Sequence, residues 1–213
     1  MSKLLLDRRA VLVAAASSAA LAACSNIIGP PEASPLYALD PRVPPARPGP
    51  RVHWQLTVAL PETPDNLDTD RIVLVQPDNT VDFYANARWP DRIPYLLQSA
   101  LVEAFESSGR IGAVGRDTEG LRSSYILLTD IRDFHAQYDA ADAPPTIEVR
   151  IAAKLLVPST RQIVQSMVAQ AEAKTTQNSV PAVAQAFNTA LGDAVGQIVG
   201  WTLDAPIPVQ AAG

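Results

Sequence analysis

From Thr80 to Trp89 apolar and polar positions alternate strictly, with Val81, Phe83, Ala85, Ala87 and Trp89 set against Thr80, Asp82, Tyr84, Asn86 and Arg88. A period of two marks a strand with one buried face. The same alternation runs through Thr146 to Leu156, where Ile147, Val149, Ile151, Ala153 and Leu155 oppose Glu148, Arg150 and Lys154. Val52 to Leu60, Arg71 to Gln76, Ile111 to Val114, Ser123 to Phe134 and Arg161 to Glu172 read as further strands, from their β-branched and aromatic content and flanking turn residues. Pro77-Asp78-Asn79 joins Arg71–Gln76 to Thr80–Trp89 as a hairpin. The three long strands after Ser123 predict a meander.

Twice the period lengthens. Ile93, Leu96, Leu97, Ala100, Leu101, Ala104 and Phe105 recur at three and four, which predicts an amphipathic helix with Asp91 as its cap and Gly109 as its stop. A second helix runs from Ser179, with Pro181 in its first turn, to about Thr202. Val180, Val183, Phe187, Leu191, Ala194, Ile198 and Trp201 form its apolar stripe, and Gln185, Asn188, Asp193 and Gln197 keep the other side polar. Gly192, Gly196 and Gly200 stand four apart, a smooth ridge against which another backbone can lie closely. The domain's own sheet or first helix is the expected neighbour of this ridge; contact with a second copy in a homo-oligomer is the alternative.

The opening residues follow another pattern. Lys3, Arg8 and Arg9 precede an apolar run from Ala10 to Ala23 that closes on Leu21-Ala22-Ala23-Cys24. This is the layout of a secretory signal peptide, and the run is too short to span a hydrocarbon core, which takes about 20 residues. Small residues immediately before a cysteine predict cleavage at 23/24 and a diacylglycerol on Cys24. As the only cysteine of the 213 residues, Cys24 has no disulfide partner in an oxidising compartment, and acylation would remove the stray thiol. Ser25 follows it where retention in the inner membrane often uses Asp, so the periplasmic face of the outer membrane of a Gram-negative cell is the expected location. Asp7-Arg8-Arg9-Ala10-Val11-Leu12 also resembles a twin-arginine export signal, leaving the export route open.

Eight prolines between Ser25 and Pro50 predict an extended, semi-rigid tether. At about 3.1 Å per residue it could hold a folded domain tens of ångströms from a bilayer. Pro35-Leu36-Tyr37-Ala38-Leu39-Asp40 interrupts it with alternating apolar residues, a short strand that could dock on the domain. The expected organisation is therefore a signal peptide over 1–23, a tether over 24–50, one domain over 51–204 and a tail over 205–213. Losing residues 1–23 removes Lys3, Asp7, Arg8 and Arg9, a net +2, so the mature chain moves from −5 to −7. An acidic chain with no basic run is a poor partner for nucleic acid.

Candidate chemistry is sparse. His53 and His135 are the only histidines and neither has a second ligand at metal spacing, so no metal site is expected. There is no Gly-x-Ser-x-Gly elbow and no phosphate loop among Gly109, Gly112, Gly115 and Gly120. Glu62, Asp65, Asp68 and Asp70 lack EF-hand spacing and read as solvated loop charge. Asp130, Arg132 and Asp133 read as salt partners on a strand surface. No enzyme activity and no cofactor are expected; binding or scaffolding is.

Several stretches, in order, resemble the ABC-type transport auxiliary lipoproteins, the group that includes paraquat-inducible protein C. They are Ser34-Pro35-Leu36-Tyr37-Ala38-Leu39-Asp40, Leu67-Asp68-Thr69-Asp70-Arg71-Ile72, Phe83 to Trp89 with Asp91-Arg92-Ile93-Pro94, Leu101 to Gly109, Asp130 to Phe134, and Ile198-Val199-Gly200-Trp201. The resemblance implies a single α/β (α+β) domain with a mixed, mainly antiparallel sheet covered by two helices, similar to the N-terminal domain of TolB. It also implies a non-enzymatic role beside an MCE-type lipid transporter, in which an ABC permease and ATPase drive a periplasmic MCE-domain protein. An outer-membrane assembly factor for lipopolysaccharide or β-barrel proteins is the alternative. The candidate partner surface comprises Tyr84 and Arg88 with Gly192, Gly196 and Gly200; these glycines look unlike the family's usual pattern.

Overall fold

The computed structural model describes residues 34–45 and 47–206. Its sheet is organised around one long strand, β5 (Tyr125–Gln137), whose two edges are used differently. One edge pairs antiparallel with β6 (Thr146–Val157) along nearly its whole length, and β6 pairs in turn with β7 (Gln162–Lys174), giving the expected meander. The other edge is shared. β1 (Leu56–Val58) runs parallel to its first residues, Tyr125 to Leu127, and β2 (Arg71–Val75) runs parallel to its far end at Ala136 and Gln137. β3 (Val81–Arg88) lies outside β2 as the second arm of the expected hairpin, and β4 (Val114–Arg116) lies outside β1. The sheet is thus mixed, with its longest pairings antiparallel.

Alternation explains the long strands. Ile147, Val149, Ile151, Ala153 and Leu155 of β6 are completely buried, while Arg150 and Lys154 are exposed. β1 differs, because all of its residues are buried, Thr57 included, and neither face is exposed. The strand expected over Val52 to Leu60 narrows accordingly to Leu56–Val58, with a separate bridge from Val52 to Ile111. The strand expected over Ile111 to Val114 shifts to Val114–Arg116.

Helices α1 (Ile93–Ser107) and α2 (Val180–Asp204) cover one face of the sheet. Gly109 ends α1 as expected, with φ of +63° and its N–H donating to the Glu106 carbonyl at 3.2 Å. Asp91 does not cap it. Its carboxylate instead accepts the N–H of Arg92, and the first helical N–H, that of Ile93, reaches the Thr69 carbonyl at 3.1 Å. A loop carbonyl therefore takes the role expected of a side chain. The buried amide of Gln98 ties α1 to the sheet by donating to the Val58 carbonyl at 3.0 Å.

Trp89, Phe134 and Phe187 close the core where the hairpin, β5 and α2 converge. Their ring centroids are 5.3 Å apart for Trp89–Phe187 and 4.8 Å for Phe134–Phe187. Rings at such separations add about 0.5–1.5 kcal/mol per pair beyond the area they bury. Among the described residues no helix is long and apolar enough to cross a membrane.

Candidate functional site

Pro35–Asp40 docks on the domain as expected, and the proline-rich stretch that follows, expected as a spacer, is bound as well. Tyr37 donates its N–H to the Arg88 carbonyl at 2.8 Å, and Arg88 returns its own N–H to the Pro35 carbonyl at 3.3 Å, adding a short parallel pairing outside β3. The chain then lies along α2. Asn188 holds it on both sides, accepting the Asp40 N–H at 2.8 Å and donating to the Ala38 carbonyl at 3.3 Å. One turn further on, a Cβ on Gly192 would stand 2.6 Å from the Arg42 carbonyl oxygen; on the following turn, a Cβ on Gly196 would stand 3.2 Å from Pro44 Cδ. Helix and strap are commensurate: four helical residues rise about 6.0 Å and two polyproline residues about 6.2 Å. The pairs Asp40–Asn188, Arg42–Gly192 and Pro44–Gly196 therefore stay in step. Pro41, Val43 and Pro44 also face Ala100 and Ala104 of α1 across a small cavity of about 180 Å³.

Arg110 fastens the far end. Its side chain is 7% exposed and donates to four acceptors: the Arg47 carbonyl at 3.2 Å, the Pro50 carbonyl at 3.3 Å, the Leu203 carbonyl at 3.3 Å and the Asp204 carboxylate at 2.8 Å. The planar fork suits this set, since it offers five donors in fixed directions, and the C-terminus of α2 favours a cation. Gly49 passes so close that a Cβ there would lie 2.7 Å from the guanidinium carbon. The stretch expected as tether over 24–50 is therefore held on the domain from Pro35 to Pro50. No local pattern in the sequence marks Arg110 or Asn188 for this role, because their partners lie 60 or more residues away.

The expected partner surface is only partly brought together. Gly192 and Gly196 lie beneath the strap, which corrects both their assignment to a partner and the expectation that the ridge meets the sheet or first helix. Gly200 has no described atom within 4 Å of a Cβ and opens on a groove of about 690 Å³ with Trp201, Met167 and Glu172. Tyr84 is half-buried and its hydroxyl meets that of Tyr138 at 2.8 Å, while Tyr138 donates to Asn178 at 2.8 Å. Burial first, and the Tyr138 bond second, push the Tyr84 phenol well above its ordinary pKa. Arg88 is exposed and paired with Asp70 at 2.9 Å. Cys24 and the signal peptide lie outside the described residues.

The acidic loop is spoken for by arginines: Asp70 pairs with Arg88 and Asp68 with Arg92. On the strand surface Arg132 meets Asp130 at 3.4 Å as expected, while Asp133 pairs instead with Arg150 of β6. His135 faces Glu148 at 3.7 Å, and His53 is exposed. Among the described residues no group of three or more His, Cys, Asp and Glu is placed to hold a metal ion.

The family model for the ABC-type transport auxiliary lipoprotein component matches residues 37–199. The chain belongs to this family. The crystal structure of protein XCC0632 from Xanthomonas campestris superposes with a TM-score of 0.74 at 35% identity, covering 79% of this chain and 94% of that one. A second crystal structure, of an uncharacterized protein, shares the fold with a TM-score of 0.58 at 16% identity over 78% of this chain and 97% of its own. The uncharacterized protein bll6063 of Bradyrhizobium diazoefficiens is 27% identical over 148 residues, 70% of this chain; the match spans only 39% of that relative's length. The family is described as an auxiliary lipoprotein component of ABC-type transport. The family match opens at Tyr37, inside the strap, so the strap is part of the unit that the family shares.

Proposed function

We propose that this auxiliary lipoprotein serves an MCE/ABC-type phospholipid transport system without catalysing a reaction. It docks the periplasmic MCE component at the outer membrane, to whose periplasmic face Cys24 anchors it. The family match over residues 37–199 carries the reading. The placement of its acidic side chains agrees with it: Asp68, Asp70, Asp133 and Asp204 each engage an arginine rather than converge on a substrate. Placement then becomes the function, with the acyl anchor setting where the domain is presented and the strap setting how far its tether extends.

The test is affinity capture of the lipidated chain from membranes after mild crosslinking. Recovery of an MCE-domain protein with its permease and ATPase is the expected result. Repeated capture lacking all three overturns the proposal, and recovery of a β-barrel instead supports the outer-membrane assembly role.

A further inference from the structure

Docking of the strap moves the point at which the anchor pulls. The chain leaves the domain toward Cys24 at Pro35, beside Arg88 on the outer edge of β3, and not at Pro50 beside Arg110. Along α2, from Asn188 beside Asp40 to Asp204 beside Arg110, the strap covers about 24 Å. Ten residues, 25–34, separate Cys24 from Pro35. Fully extended, the eleven steps from Cys24 to Pro35 reach no more than about 40 Å, so the Pro35 end of the domain stays within that distance of the bilayer surface.

That end has a distinctive chemistry. Leu36 is 64% exposed and Tyr95 40% exposed. Leu36 bridges to Arg88, Arg88 pairs with Asp70, Asp68 pairs with Arg92, and the Arg92 guanidinium stands 5.7 Å from the centre of the Tyr95 ring. Two exposed apolar side chains thus flank two arginines, each matched by an aspartate, with Asp91 adjacent. Leucine and tyrosine suit the boundary between acyl chains and headgroups, and an arginine stem can lie along apolar surface while its head meets phosphate. A mature chain of net charge −7 is repelled by an anionic bilayer over most of its surface; here Arg88 and Arg92 match Asp70 and Asp68 and leave only the Asp91 carboxylate unmatched.

We infer that the surface formed by Leu36, Arg88, Arg92 and Tyr95 rests on the phospholipid headgroup layer of the membrane that holds the protein. This rests on the proposed acylation of Cys24. Once acylated, that sole cysteine no longer reacts, so one introduced cysteine can be labelled alone. The full-length lipidated protein is prepared as Leu36→Cys, Tyr95→Cys and Val168→Cys. Val168 is 49% exposed on β7, at the opposite edge of the sheet from β3. Each variant is labelled with a small fluorophore and reconstituted into phosphatidylethanolamine and phosphatidylglycerol vesicles carrying lipids brominated near the headgroup.

Labels at 36 and 95 should be quenched several-fold more than the label at 168. Equal quenching at the three positions, or strongest quenching at 168, overturns the inference. Protein that floats with the vesicles yet leaves 36 and 95 unquenched overturns it while leaving the anchor reading intact. Protein that fails to float overturns both. Labels unquenched in vesicles but shielded in native membranes assign the surface to a protein partner and overturn the bilayer contact.

Discussion

The carbonyl oxygen of Arg42 lies 2.6 Å from where a Cβ on Gly192 would stand, so strap and helix meet backbone to backbone. Neither side can yield cheaply, because the obstacle to a side chain is main chain. Gly192→Ala should therefore cost about 1–3 kcal/mol, the usual range for overpacking, and should expose the Arg42–Val43 bond to trypsin. Gly200→Ala meets nothing described within 4 Å and should gain up to about 1 kcal/mol from helix propensity. Urea unfolding of the two variants checks this; equal effects would mean the glycine ridge is not a strap-binding surface.

Arg110→Ala should destabilise the domain by about 2–3 kcal/mol, since it leaves the carbonyls of Arg47, Pro50 and Leu203 without their charged donor. Arg110→Lys should recover only part of the loss, because an ammonium on a single point cannot reproduce the fork. Denaturation midpoints of both variants, with proteolysis of the strap, measure the effect.

Stability should fall as pH rises beyond about 10. The Tyr84 phenol, and that of Tyr125, are raised above the ordinary value of 10.0 by burial. The folded chain keeps these protons where the unfolded chain releases them. Their contribution is present in full below pH 10 and is lost above it. Tyr84→Phe should flatten the alkaline limb of a stability-against-pH curve and cost about 1 kcal/mol at neutral pH for the lost hydroxyl bond. An alkaline limb identical to that of the parent chain would count against the assignment.

Cys24→Ser should release the protein from membranes into the soluble periplasmic fraction and abolish complementation of a deletion strain. Full complementation by the soluble form would show that anchoring is incidental and remove the basis of the placement model.

Much of the architecture was legible because periodicity reports burial directly. β6, α1 and α2 each have one dry face and one wet face, and their residues say so; β3 alternates as strictly but lies at the sheet edge, where Val81 and Ala85 are exposed and only Ala87 is buried. β1 was only half legible, since a strand covered on both sides shows no alternation. The α1 cap was misread because Asp91 is a good capping residue whose geometry was pre-empted by the Thr69 carbonyl. Of the candidate site, Arg88 proved exposed as expected, while Tyr84 is tied into a hydroxyl chain with Tyr138, and Gly192 and Gly196 are covered from within the chain.

The sequence alone determined the expected acyl site at Cys24, the order of strands and helices, and the presence of a glycine ridge that demands a close backbone neighbour. These are local properties, written in spacing and composition. Only the tertiary structure decided which backbone fills the ridge, that Arg110 closes the strap from 60 residues away, and that the tether enters the fold at Pro35. A proline-rich run has the same composition whether solvated or bound. What binds it is a matching rise along α2 and a buried guanidinium, and both exist only once distant parts of the chain have packed together.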